Sequence, residues 1–266
     1  MDSQVEIGLR MRIAGSMRSA LGGPARDSKD GRDAPMRKTK RSENGDVILL
    51  KHTLAERLRA EIVKGVLRPG EKIVEGVWGR SLGVSQGSIR EAINILAKEG
   101  FVTKALGRSA RVVSLNAEDV KQIYQLRGAM EGLAARLAAE RGCDTSKLEQ
   151  ALKTMRRSAE KDDVAVLLDA NLAFHLELCR LSENSYLLEH SYRILPPFFA
   201  FVRIRAIVSG QSASLWAKDF AAYQRIIDFV KEGEGEIVEQ YIKRMMVRIA
   251  ETAYDSWEKK PSTLRS

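Results

Sequence analysis

Ser81-Leu82-Gly83-Val84-Ser85-Gln86-Gly87-Ser88-Ile89-Arg90-Glu91-Ala92-Ile93-Asn94-Ile95-Leu96-Ala97-Lys98-Glu99-Gly100 reads as two short helices joined at Gly83, the second opening at Ser85. A serine there can cap the helix, its hydroxyl accepting a backbone N–H that the first turn leaves unpaired. Past the cap, Ile89, Ala92, Ile93 and Leu96 fall on one stripe at helical spacing, so that side packs inward. Gln86, Gly87, Arg90 and Asn94 fall on a neighbouring stripe without a large apolar side chain. Such a helix suits the major groove of DNA. Gln pairs with adenine edges, Arg with guanine or phosphate, and Gly lets the backbone come close. The plainer alternative is a surface helix with ordinary polar residues, and the flanking sequence weighs against it.

Upstream, Leu54, Leu58 and Ile62, with Ala55, predict an amphipathic helix that stops at Gly65. Leu67-Arg68-Pro69-Gly70 is a turn, and Lys72-Ile73-Val74 a short extended piece. A weak helix over Glu75–Leu82 contains Gly76 and Gly79, and Trp78 and Leu82 pin it to the core. Downstream, Phe101-Val102-Thr103 and Ala110-Arg111-Val112-Val113 predict a hairpin around Gly107, with Lys104, Arg108 and Arg111 as its basic residues. Three helices and a basic hairpin make a winged helix-turn-helix. The charge distribution agrees. Residues 51–115 hold twelve Lys/Arg against six Asp/Glu, whereas residues 116–266 balance at 22 of each, within a chain of net charge +9. Positive charge gathered around a reading helix is what phosphate contacts require.

The order and spacing of Leu67-Arg68-Pro69-Gly70-Glu71-Lys72-Ile73, Leu82-Gly83-Val84-Ser85, Ile89-Arg90-Glu91-Ala92-Ile93, Leu96 and Glu99-Gly100-Phe101-Val102 resemble the DNA-binding domain of the GntR family of bacterial transcription regulators. The resemblance covers about 60 residues. The family often carries Arg, Thr and Pro where this chain has Gln86, Gly87 and Ser88, and Ala in place of Gly79. These departures leave the docking mode intact and bear on the preferred base sequence. The DNA-contacting set implied is Ser85, Gln86, Gly87, Ser88, Arg90, Asn94, Gly107 and Arg108.

From Asn116, a good helix start, the pattern is helical onward. Helices are predicted from Val120 to Leu137 (closed by Gly142), around Leu148–Met155, over Val164–Leu181, over Asn184–Ser209, over Trp216–Lys231 and over Glu236–Trp257. The fourth is expected to bend or break at Pro196-Pro197. Six helices with short connections predict a bundle. Gln125-Leu126-Arg127, Glu131, Ala134-Ala135, Phe174-His175 and Ser182-Glu183-Asn184 resemble the ligand-sensing domain of the FadR-type subgroup of the same family, over about 130 residues. The fold class expected is mostly α. A basic, disordered tail (1–48) precedes a winged helix-turn-helix (49–115) and an all-α effector-binding and dimerisation bundle (116–260).

Many members of that subgroup hold a metal through an Asp four residues before the motif His and through two later His. Here those positions carry Asn171, Tyr223 and Met245, and only His175 remains, so no metal or other cofactor is expected. Asn171 and His175, four apart, point the same way. With Tyr223 they offer hydrogen bonds to a small polar molecule, or satisfy one another as a buried cluster. Arg127 either pairs with Glu131 at helical spacing or meets a ligand carboxylate. Arg203 and Arg205 are candidates of the same kind, with less support than Arg127. Arg127, Asn171, His175, Arg203, Tyr223 and Met245 are therefore the effector-site candidates.

Other classes are less well supported. The sequence has no Gly-rich phosphate loop, nucleophile elbow or paired-His hydrolase motif, and an enzyme would have to work through Asp169, His175 and Tyr223. No apolar run approaches the ~20 residues of a membrane span. Arg10, Arg12 and Arg18 interrupt the only candidate signal region. Cys143 and Cys179 are too isolated for a disulfide framework. The expectation is a cytoplasmic homodimer, with no membrane partner. It would bind a short palindromic operator in double-stranded DNA under control of a small organic metabolite, carboxylates among the candidates. A DNA-binding dimer with a purely structural bundle is the alternative.

Overall fold

Helix formation starts earlier than the apolar spacing implies. The computed structural model describes residues 40–104 and 109–258, and its first helix, α1, spans Lys40–Val63. Most of the tail expected over 1–48 thus lies outside the described residues, and from Lys40 the backbone is helical. Only the second half of α1 carries the buried stripe of Leu54, Ala55, Leu58 and Ile62. Gly65 (φ 77°) then closes the helix as expected, its N–H bonding Ile62 O.

Helix α2 (Glu75–Leu82) and helix α3 (Gln86–Lys98) form the helix-turn-helix, with left-handed Gly83 (φ 66°) between them. Ser85 caps α3, its hydroxyl accepting Ser88 N–H at 3.1 Å. Strands β1 (Val102–Thr103) and β2 (Arg111–Val112) pair antiparallel, Val102 opposite Val112. The 70–73 segment joins them: Ile73 N–H bonds Ala110 O at 2.8 Å, and Val112 N–H bonds Glu71 O at 2.9 Å. The hairpin tip with Gly107 and Arg108 lies outside the described residues.

A capping box opens α4 (Ala117–Arg141), Asn116 and Asp119 each bonding the other's backbone N–H. There follow α5 (Ser146–Glu160), α6 (Val164–Leu181), α7 (Ser185–Val208), α8 (Phe220–Glu232) and α9 (Gly235–Glu258). Of the bend or break expected at Pro196-Pro197, the break is corrected, since helix α7 runs through both prolines. Phe198 and Phe199 in one core and Ala200 and Phe201 in another hold the chain in the helix just beyond the turn that has lost its N–H groups. The helix expected from Trp216 begins at Phe220, because residues Ala213–Asp219 wind as a 3₁₀ helix capped by Ser212.

The bundle core holds Leu148, Leu152, Met155, Leu167, Phe174, Ile226, Ile227, Val238 and Met246 among others. A separate core underlies the winged part, and it includes Ala200 and Phe201 of α7 together with Leu58, Ile89, Ile93 and Phe101. The winged part is thus completed by a bundle helix. At the far end, Trp257 Nε1 donates to Leu115 O at 3.0 Å, tying α9 to the segment between the two parts.

Candidate functional site

On the reading helix, Ser85, Gln86, Gly87 and Arg90 are exposed and Ser88 and Asn94 half-exposed. All six lie on α3 or its cap, and Gln86, Gly87, Arg90 and Asn94 share the stripe that the sequence spacing implies. It also shows what holds them. Arg90 is gripped by Glu75 at the start of α2, with Nε at 3.0–3.1 Å and a second nitrogen at 2.7 Å. Asn94 accepts from Lys104 Nζ at 2.9 Å, linking the helix to the base of the hairpin. Gln86 lies over α2. A Cβ on Gly76 would stand 3.3 Å from Gln86 Nε2, and one on Gly79 would stand 3.0 Å from Val84 O. The glycines that weaken α2 as a helix are therefore what lets Gln86 and the turn settle against it.

Inside the bundle four of the six effector-site candidates meet around a residue given only a minor part above. Glu131, 1% exposed, accepts from Arg127 Nε at 2.6 Å, and its other oxygen stands 2.6 Å from His175 Nδ1. That second contact, at ion-pair distance, ties the imidazole ring to the carboxylate. Tyr223 O–H donates to Asn171 Oδ1 at 2.9 Å and lies 3.5 Å from His175 Nε2. Tyr124, Phe198 and Phe199 surround the Arg127 guanidinium, their ring centroids 5.0–5.3 Å from its carbon. The pairing reading of Arg127 is the one these contacts display. The other two candidates lie elsewhere. Arg203 makes a forked pair with Asp169 at 2.8 and 2.9 Å, and Met245 is buried in the apolar core on which Tyr223 packs. Glu131 was legible as a carboxylate at an inward position of α4, since a buried charge demands a partner.

The electrostatics follow from burial and pairing. Burial by itself would raise the Glu131 carboxyl, but Arg127 and then His175 outweigh it and hold its pKa down at about 2. Burial pushes His175 below its ordinary value, with Arg127 acting the same way and Glu131 opposing. Burial drives the Tyr223 phenol up, so it remains a donor at neutral pH.

Both shifts make the folded chain bind fewer protons than the unfolded one. The His175 contribution should therefore be complete above about pH 6.5 and fade as pH falls below it, and the Glu131 contribution should fade from about 4.5 towards 2. Chemical denaturation from pH 8 to 4 should show stability falling with acid, with a shallower fall between 6.5 and 5 in His175→Gln. Equal slopes in the two proteins would place His175 outside this linkage.

A divalent ion of the kind the subgroup resemblance implies does not fit. The Asn171 oxygen is taken by Tyr223, the phenol is protonated, both Glu131 oxygens face cations or an imidazole N–H, and the Arg127 charge lies beside them. Among the described residues no group of three or more His, Cys, Asp or Glu converges on a common point. The cluster can exchange hydrogen bonds with a neutral or singly charged organic molecule. Nothing in it activates a nucleophile, and Asp169 is held at the exposed end of the Arg203 pair.

Comparison with known proteins fits both halves. The family described as bacterial regulatory proteins, gntR family, matches residues 50–112, and the FCD domain matches residues 122–248. The HTH-type transcriptional regulator YdhC of Bacillus subtilis (strain 168) is 29% identical over 194 residues, covering 70% of this chain and 82% of that protein. The D-xylose utilization operon transcriptional repressor of Paenarthrobacter nicotinovorans is 29% identical over 197 residues, covering 72% and 84%. Among solved structures, a GntR transcriptional regulator from Rhodococcus sp. RHA1 shares the fold with a TM-score of 0.65 at 21% identity, covering 78% of this chain and 98% of that one. No helix among the described residues is long and apolar enough to cross a membrane.

Proposed function

Since the chain belongs to the GntR family of DNA-binding transcription regulators and carries an FCD domain behind its reading head, we propose that a small polar metabolite at the Arg127–Glu131–Asn171–His175–Tyr223 cluster controls its affinity for an operator. The family is one of regulators, not enzymes. The observation that carries the reading is the cluster itself, in which Arg127, Glu131, Asn171 and His175 are buried together with the Tyr223 phenol inside the bundle. A neutral, hydroxyl-rich molecule need only exchange with the Tyr223–Asn171 bond, whereas a carboxylate must compete with Glu131 for Arg127. Relatives named for D-xylose utilization and for a gluconate operon support sugars and sugar acids as the class. The protein acts in the cytoplasm as a homodimer, whose two-fold symmetry presents α3 to two half-sites of a palindrome.

The test is a thermal-shift screen of the full chain against sugars and sugar acids, followed by operator binding. The operator is first recovered by selection from a random duplex library. A compound that raises the melting temperature, changes operator affinity and loses both effects in Tyr223→Phe supports the reading. Operator affinity indifferent to every stabilising compound would favour the alternative, a structural cluster. The closed Arg127–Glu131 and Tyr223–Asn171 pairs speak for that alternative.

On the DNA side, Arg90 exchanges Glu75 for a guanine edge or a phosphate. Arg90→Ala should weaken operator binding roughly five- to hundred-fold, with smaller losses for Gln86→Ala and Arg108→Ala. Binding measured by fluorescence anisotropy should weaken steeply as salt rises, because phosphate contacts release counterions. An affinity unchanged by Arg90→Ala would remove Arg90 from the interface.

A further inference from the structure

The reading helix ends on a bundle helix. Helix α3 closes in a Schellman turn, with Phe101 N–H bonding Leu96 O at 3.0 Å and Gly100 N–H bonding Ala97 O at 3.2 Å. Gly100 has φ 83°, and a Cβ on it would stand only 2.6 Å from Arg193 O of α7 and 3.4 Å from the Pro197 ring. A Cα hydrogen of Gly100 therefore points at that carbonyl. Arg193 O is available because the residue four further on, whose N–H would bond it in a regular helix, is Pro197. The proline thus supplies both halves of the seat, the free carbonyl and the ring beside it. One turn further along α7, Ala200 and Phe201 enter the winged core, while Phe198 and Phe199 flank Arg127 in the bundle.

We infer that the Pro197 turn of α7 is a positioning element for DNA recognition, fixing the angle at which α3 leaves the bundle by seating Gly100 on the Arg193 carbonyl. Pro197→Ala restores an N–H that draws Arg193 O back into the α7 ladder and removes the ring on which Gly100 rests. Stability and recognition then move in opposite directions, which a merely structural role does not produce. A proline-to-alanine change inside a helix favours the helix, while loss of the seat frees the reading helix from its fixed angle. The inference does not depend on whether a metabolite binds the bundle, and no metabolite enters its test.

The experiment compares the full-length protein, Pro197→Ala and Gly100→Ala. It measures melting temperature, affinity for the library-selected operator and affinity for random-sequence duplex. For Pro197→Ala the expected result is an unchanged or higher melting temperature, operator binding weakened roughly three- to thirty-fold and random-duplex binding unchanged. Gly100→Ala, whose methyl collides with the carbonyl, should weaken operator binding at least as much. Operator affinity unchanged in Pro197→Ala would overturn the inference. So would losses in operator and random-duplex binding that only track a fallen melting temperature.

Discussion

Glu131→Ala is expected to destabilise the folded protein by about 3–5 kcal/mol, because it leaves the Arg127 guanidinium buried without its counter-charge. Arg127 is 3% exposed and its Nε bond to Glu131 is 2.6 Å long. The three aromatic rings around it soften the cost of burying the cation but cannot accept its N–H groups as a carboxylate does. His175 loses at the same time the group nearest its Nδ1. Glu131→Gln should cost less, since the amide oxygen can still accept from Arg127. Removing both charges, as Arg127→Met with Glu131→Leu, should recover much of the loss, because desolvation is no longer required of either. Chemical denaturation at pH 7 measures all three. A loss below about 1 kcal/mol for Glu131→Ala, within the range of exposed pairs, would mean that water reaches the cluster. The buried pair would then not organise the bundle.

The same cluster marks how far the sequence could be read. The reading helix was legible because its information is local. Ser85 caps it, the Ile89–Leu96 stripe buries it, and the polar stripe beside that one stays out. Three of the four bundle candidates that converge are also set by local spacing, Arg127 against Glu131 on α4 and Asn171 with His175 on α6, while Tyr223 reaches them from α8. What was not legible depends on partners far along the chain. Gly76 and Gly79 read as defects until Gln86 is placed over them. Pro196 and Pro197 read as a bend or break because local rules count the lost N–H groups but not the two cores that hold Phe198 to Phe201 just beyond them. Arg203 stood as a candidate for a ligand carboxylate, yet it pairs with the exposed Asp169 on α6. Division of α7 between two cores had no sequence signal either, since Phe198, Phe199, Ala200 and Phe201 form one unbroken apolar run.

That division makes Phe201→Ala the more informative of the large truncations. Phe201 is 4% exposed and belongs to the core that holds Leu58, Ile89, Ile93, Leu96 and Phe101, although its backbone is part of the bundle. Emptying a buried phenylalanine site costs about 3–5 kcal/mol through lost transfer energy and the cavity left behind. The damage should fall in the winged part, far from the point of mutation in sequence. Hydrogen exchange followed by mass spectrometry should show α1 and α3 losing protection in Phe201→Ala while α5 and α6 keep theirs. Phe174→Ala provides the contrast. Phe174 is fully buried in the bundle core, against Tyr223 and His175. Its truncation should cost a similar amount and reduce protection in α5 and α6 first. Operator affinity should fall in Phe201→Ala, since the reading helix loses the surface that holds its inner stripe. Protection of α1 and α3 left intact in that variant would show that the winged part closes its core without α7.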